Sequence, residues 1–124
     1  MAEMKLGMVE SRFADIVWQN APMTTKKLVE LCKCELDWAR TTTYTVLKKL
    51  CDRGIFKTEN STVTVLITKD EFNAIQSEQI VDKNFSGSLP AFIAAFTTRK
   101  KISDKEIEEI KEIIENFRGD TMKA

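Results

Sequence analysis

Histidine is absent from this chain of 124 residues. With it goes the side chain that most often moves protons near neutral pH or ligates zinc and copper through nitrogen. Three cysteines occur, Cys32, Cys34 and Cys51. Their number is odd and they fall in segments with helical patterning, which does not suit a disulfide framework, so reduced thiols are expected. Cys32 and Cys34 could supply half of a metal site, but Cys51 is the only further soft ligand, so a four-ligand zinc or copper set cannot be completed within one chain. No metal and no cofactor are expected. With four glycines there is no Gly-rich phosphate loop, and no strand carries a pair of acids, which argues against an enzyme. No apolar run approaches the roughly 18 residues that cross a bilayer. Nor does Met1-Ala2-Glu3-Met4-Lys5 have the hydrophobic stretch of a signal peptide, so a cytoplasmic protein with no membrane partner is expected.

What is present is a 43% hydrophobic, 31% charged composition with zero net charge. That supports one modest core and a small appendage. The charge is unevenly spread: residues 1–68 stand at +2 and residues 69–124 at −2. Between Arg40 and Lys57 there are five basic residues, Arg40, Lys48, Lys49, Arg53 and Lys57, against the single acid Asp52. A small basic face on a neutral molecule is a candidate phosphate-contacting surface, although a solvated helix face has the same composition.

Val9, Phe13, Ile16 and Val17 recur at helical spacing between Met8 and Gln19, and Asn20-Ala21-Pro22 stops that first helix. Thr24 or Thr25 caps a second, with Leu28, Leu31 and Cys32 on one face and a break near Glu35-Leu36-Asp37. A third begins near Ala39 or Arg40, places Thr43, Val46, Leu47 and Leu50 on its core face, and ends at Gly54. Two β-branched runs, Ile55 to Thr58 and Thr62 to Ile67, flank Glu59-Asn60-Ser61 as a tight hairpin. Three helices followed by a hairpin make a winged helix-turn-helix. Thr68-x-x-Glu71 has capping-box spacing and opens a fourth helix to about Asn84. Pro90 lies in the first turn of a fifth. Ser103-x-x-Glu106 opens a sixth that is expected to end at Arg118-Gly119. The fold expected is therefore mainly α with a small β-hairpin wing: a winged helix-turn-helix domain over 1–68 and a three-helix dimerisation region over 69–124.

The last three helices carry apolar rows: Phe72 and Ile75, then Leu89, Phe92, Ile93 and Phe96, then Ile107, Ile110, Ile113 and Ile114. About 55 residues are too few to bury three such faces alone. A two-fold dimer of the same chain is the economical solution. The rows could instead fold back on the N-terminal domain, or hold a heterologous protein, as in an anti-activator module.

A rotation of about 100° per residue turns Thr41, Tyr44, Thr45, Lys48 and Asp52 of the third helix away from its core face. An α-helix fits the major groove, where hydroxyls exchange hydrogen bonds with base edges and a threonine methyl packs on the thymine methyl. Arg40, Lys48, Lys49 and Arg53 can reach phosphates, which adds affinity more than sequence preference. The competing reading of Thr41-Thr42-Thr43 is that hydroxyl residues cap the start of a helix.

Trp18, Trp38, the pattern Thr42-x-x-Thr45-x-Leu47-x-x-Leu50-x-x-x-Gly54, Gly87-Ser88-Leu89 and Ile102-Ser103-x-x-Glu106-Ile107-Glu108-Glu109-Ile110 together resemble the BlaI/MecI/CopY family of penicillinase repressors, from about Gly7 to Asn116. The resemblance implies a transcriptional repressor that binds a palindromic operator as a homodimer. It places base contacts on Thr42, Tyr44 and Thr45 and a backbone contact on Thr41. The partners it implies are double-stranded operator DNA, a second copy of the chain, and an unidentified inducing protein or protease. Departures are specific. Ala39-Arg40 stands where the family usually has Ser-Pro, and Tyr44 where it has arginine, so a different operator is expected. The wing tip Glu59-Asn60-Ser61 is shorter and not basic, and Val63-x-Val65 replaces paired aromatics, so weaker wing contacts are expected. Ala95-Phe96 replaces the Asn-Phe bond cleaved in antibiotic-responsive members, and no Cys-x-Cys cluster follows Gly119, so neither that proteolytic route nor copper sensing is expected.

Overall fold

A computed structural model describes the backbone of residues 4–123 and side chains through 119. Helix α1 spans Met8–Asn20, strand β1 Met23–Thr24, α2 Thr25–Leu36, α3 Arg40–Asp52, β2 Phe56–Glu59, β3 Thr62–Val65, α4 Lys69–Asn84, α5 Leu89–Arg99 and α6 Asp104–Lys123. The strands form one antiparallel sheet in the order β1-β3-β2. This is the expected mainly helical winged helix, with one strand, β1, that the sequence did not announce. The chain divides into two compact units, Met1–Ile80 and Val81–Ala124.

Local chemistry sets most boundaries in the first unit. The Thr24 hydroxyl accepts from the Lys27 amide and caps α2, satisfying one of the amides that a helix start leaves unpaired. At the other end Asp37 adopts the left-handed conformation, and the Trp38 amide returns to the Cys32 carbonyl. That closure forms the turn into α3 and delivers the Trp38 ring onto Phe13, stacked at 5.6 Å. Gly54, at φ 79°, lets the chain leave α3 with the Ile55 amide bonded to the Leu50 carbonyl; any side chain there would be strained. Asn60 and Ser61 both have positive φ, so the hairpin is a two-residue turn of the type that matches strand twist. Glu59 therefore belongs to β2, paired with Thr62.

The core of the first unit is built from Phe13, Val17, Leu28, Cys32, Leu47, Leu50, Ile55, Phe56 and Val63, all essentially inaccessible. Removing a large ring from such a site costs about 3–5 kcal/mol, because the cavity closes only in part. Trp18 joins the helices to the wing and to α4. Its ring meets Phe56 at 5.7 Å and Phe72 at 5.6 Å, and its Nε1 donates to the Ile67 carbonyl at 3.0 Å.

This packing bears on two expectations. Phe72, expected at the dimer interface, is buried in the core of the first unit, and Ile75 packs half-buried against it. The compact units part inside α4, after Ile80, where the sequence reading put the domain boundary after residue 68. Nothing local in the sequence marks that difference; it follows from the distant Trp18 ring claiming the first turns of α4.

In the second unit, the Phe85 and Phe92 rings meet edge to face at 5.5 Å, with Phe96 6.4 Å further along α5. The Ser88 hydroxyl caps α5 by accepting from the Ala91 amide. Ser103 and Glu106 form a reciprocal capping box at the start of α6. Helix α6 runs on to Lys123 instead of stopping at Gly119. One glycine inside an exposed helix costs about 1 kcal/mol, too little to end it. Among the described residues of α5 and α6 none is buried. Leu89, Ile93, Phe96, Ile107, Ile110, Ile113, Ile114 and Phe117 are all exposed.

Candidate nucleic-acid interface

Helix α3 buries Thr43, Leu47 and Leu50, which fixes its rotation. Thr41, Thr42, Thr45, Lys48 and Asp52 are exposed on the remaining surface, and Tyr44 is half-buried. The helix starts at Arg40, and the N-cap before it, Ala39, makes no side-chain cap bond. The threonines therefore lie within the helix, and the reading of them as caps falls away. The Thr45 hydroxyl donates to the Thr41 carbonyl at 2.8 Å. That bond uses its proton and fixes its rotamer, leaving the oxygen lone pairs and the methyl group outward. Among the described residues, the Thr41 and Thr42 hydroxyls engage no side-chain partner.

The basic residues of this segment differ in what they already hold. Lys48 pairs with Asp52 at 3.1 Å, one turn along the same helix. Lys49 reaches Glu10 on α1 at 2.8 Å, and Arg53 donates to the Lys5 carbonyl at 2.8 Å. Lys57 pairs with Glu59 at 2.9 Å. At Glu10, Lys49 and then the Gly7 amide hold the carboxyl below the ordinary value of 4.5. Arg40 forms no ion pair among the described residues. Its guanidinium carbon lies over the Tyr44 ring, 5.4 Å from the centroid.

Tyr44 faces α2. Thr25, and after it Arg40, hold its phenol below the ordinary value of 10.0. Tyr44 and Arg40 line a groove with Thr24, Thr25, Lys26, Val29, Glu30 and Ser61, so the start of α2 and the tip of the hairpin come beside the start of α3. Sequence reading assigned no role to this side of α2. The run Thr24-Thr25-Lys26-Lys27, two hydroxyls and two cations at a helix start, was the available signal.

The thiols lie apart in role. Cys32 is buried, and burial pushes it above its ordinary value. Cys34 is exposed, and Cys51 Sγ lies 3.4 Å from Thr58 Oγ1, linking α3 to β2. Among the described residues no three His, Cys, Asp or Glu side chains gather as metal ligands, and no helix is long and apolar enough to cross a membrane.

Residues 6–116 match the family described as penicillinase repressor. Over 114 residues the chain is 21% identical to the methicillin resistance regulatory protein MecI of Staphylococcus aureus (strain Mu50), covering 89% of this chain and 93% of that one. MecI of Mammaliicoccus sciuri is 20% identical over the same shares. The penicillinase repressor of Bacillus licheniformis is 19% identical over 108 residues, 84% of each chain.

Proposed function

The chain belongs to the penicillinase repressor family of transcription regulators, and we propose that it represses by binding a two-fold symmetric operator as a homodimer, with α3 in the major groove. Its relatives are repressors and not enzymes. The observation that carries the reading is the division of α3 into two faces: Thr43, Leu47 and Leu50 locked into the core, and Thr41, Thr42, Thr45 and Lys48 exposed to solvent.

The chemistry of that free face supports contact with base edges. Because the Thr45 proton is committed to the Thr41 carbonyl, the hydroxyl is left to accept from adenine N6 or cytosine N4, while its methyl can meet a thymine methyl. Thr42 offers both donor and acceptor. Lys48 and Lys49 would position the helix on phosphates once their contacts with Asp52 and Glu10 are shared with the DNA.

The homodimer is supported by the exposed rows of α5 and α6. Each leucine, isoleucine or phenylalanine removed from water contributes about 1.5–3 kcal/mol, and a stable interface needs roughly 1,200–2,000 Å² in total. A second copy presents the same rows in complementary order.

Selection of bound fragments from a random DNA pool tests the whole reading. The expected product is two symmetric half-sites separated by whole helical turns. Thr45→Ala should lose about 1–3 kcal/mol of preference at one position of each half-site, whereas Lys48→Ala should weaken all sequences alike. A single asymmetric site, or an unchanged base profile for Thr45→Ala, refutes the assignment.

A further inference from the structure

We propose that Tyr44 is a positioning residue that aims Arg40 at a DNA phosphate, rather than a reader of a base. This rests on the reading of α3 as the DNA-contacting helix, and it departs from the base contact that family resemblance places at this position.

Three observations separate Tyr44 from the threonines beside it. Thr41, Thr42 and Thr45 are exposed, but Tyr44 is half-buried and turned towards α2. Its ring lies under the Arg40 guanidinium at 5.4 Å, where the ring quadrupole attracts the cation, and its hydroxyl also interacts with Thr25 and Arg40. Of the five basic side chains from Arg40 to Lys57, the other four have a carboxylate or carbonyl partner within the chain, whereas Arg40 has none among the described residues. Its place also does nothing for the helix, since a cation in the first turn opposes the helix dipole. The arrangement keeps one arginine unneutralised, stacked on a tyrosine, at the mouth of a groove that Thr24, Lys26 and Ser61 also line. The α2 side of that groove carries Lys26 and also the acid Glu30, so the phosphate contact is assigned to Arg40 alone.

In this arrangement Tyr44 limits the rotamers of Arg40 before DNA arrives, so less entropy is lost on contact. The two side chains then act as one unit, with a signature that a base reader lacks. The experiment is a double-mutant cycle on full-length protein with the selected operator and several single-base variants, at a series of salt concentrations. Thermal melting of each variant confirms that it is folded.

Arg40→Ala and Tyr44→Ala are each expected to weaken all the DNAs by roughly fivefold to tenfold, with the base profile unchanged. Arg40→Ala should lower the salt slope by about one per protomer. The double variant should bind within about twofold of Arg40→Ala, because coupled residues do not add. Tyr44→Phe, which keeps the ring but loses the hydroxyl's interactions with Thr25 and Arg40, should stay within about threefold of the native protein. A shifted base preference in Tyr44→Ala with none in Arg40→Ala, or losses that multiply in the double variant, overturns the proposal. If Thr42→Ala and Thr45→Ala also leave the base profile unchanged, the assignment of α3 as reader fails and the inference fails with it.

Discussion

In the unit Met1–Ile80 the Phe13 ring stacks on Trp38 and the Trp18 ring packs on Phe56 and Phe72, while in Val81–Ala124 the Phe96 and Phe117 side chains stand 48% and 72% exposed. Both regions are made of helices with apolar rows, and both begin helices with capping boxes, Thr68-Glu71 in one and Ser103-Glu106 in the other. They differ in geometry. Three helices and a sheet enclose a volume within the first unit, whereas α5 and α6 leave their rows open. Helical propensity and capping therefore account for secondary structure in both regions, but burial accounts for tertiary stability only in the first.

The sharpest way to break this contrast is Phe56→Ala. Its ring is fully buried against Trp18, so the first unit should lose about 3–5 kcal/mol in denaturant unfolding. A loss under about 1 kcal/mol would mean that this core is not what stabilises the unit.

Ile113→Asp works from the opposite side. Ile113 is 67% exposed, so the substitution should leave the unfolding of the first unit unchanged. It should also weaken self-association by about 2–3 kcal/mol, roughly 30-fold to 150-fold, as read by sedimentation or light scattering. An unaltered association constant would show that α6 is not part of the contact between copies.

The smallest effect sharpens the account of the first unit. Because the folded carboxyl of Glu10 is held below its ordinary value of 4.5, its contribution is present above that pH and lost as pH falls through the depressed folded value. Glu10→Gln should cost no more than about 1 kcal/mol at pH 7, a partly solvated ion pair being worth little. It should also flatten the acid side of the stability profile below pH 4.5. An equally steep acid limb in the variant would place the titrating group elsewhere.

What could be read along the chain was whatever is decided locally. The hairpin at Glu59-Asn60-Ser61, the two capping boxes, Gly54 and the core face of α3 all depend on residues within one or two turns of each other. Strand β1 could not be read, because its two residues become a strand only by pairing with Thr62 and Val63. The burial of Phe72 depends on Trp18 in the same way. At the interface, helical rotation was enough to expose Thr41, Thr45 and Lys48. The partners that occupy Lys49, Arg53 and Tyr44 lie on α1, in the segment before it, and on α2, which periodicity within α3 cannot reach.

Trp18 and Trp38, both packed in the first unit, are the two tryptophans of the chain, and Tyr44 is its one tyrosine. Tryptophan and tyrosine fluorescence thus comes from Met1–Ile80 alone. Emission should shift when that core melts and should be blind to events confined to α5 and α6. The chain carries its own optical reporter for one half and needs an added dye for the other.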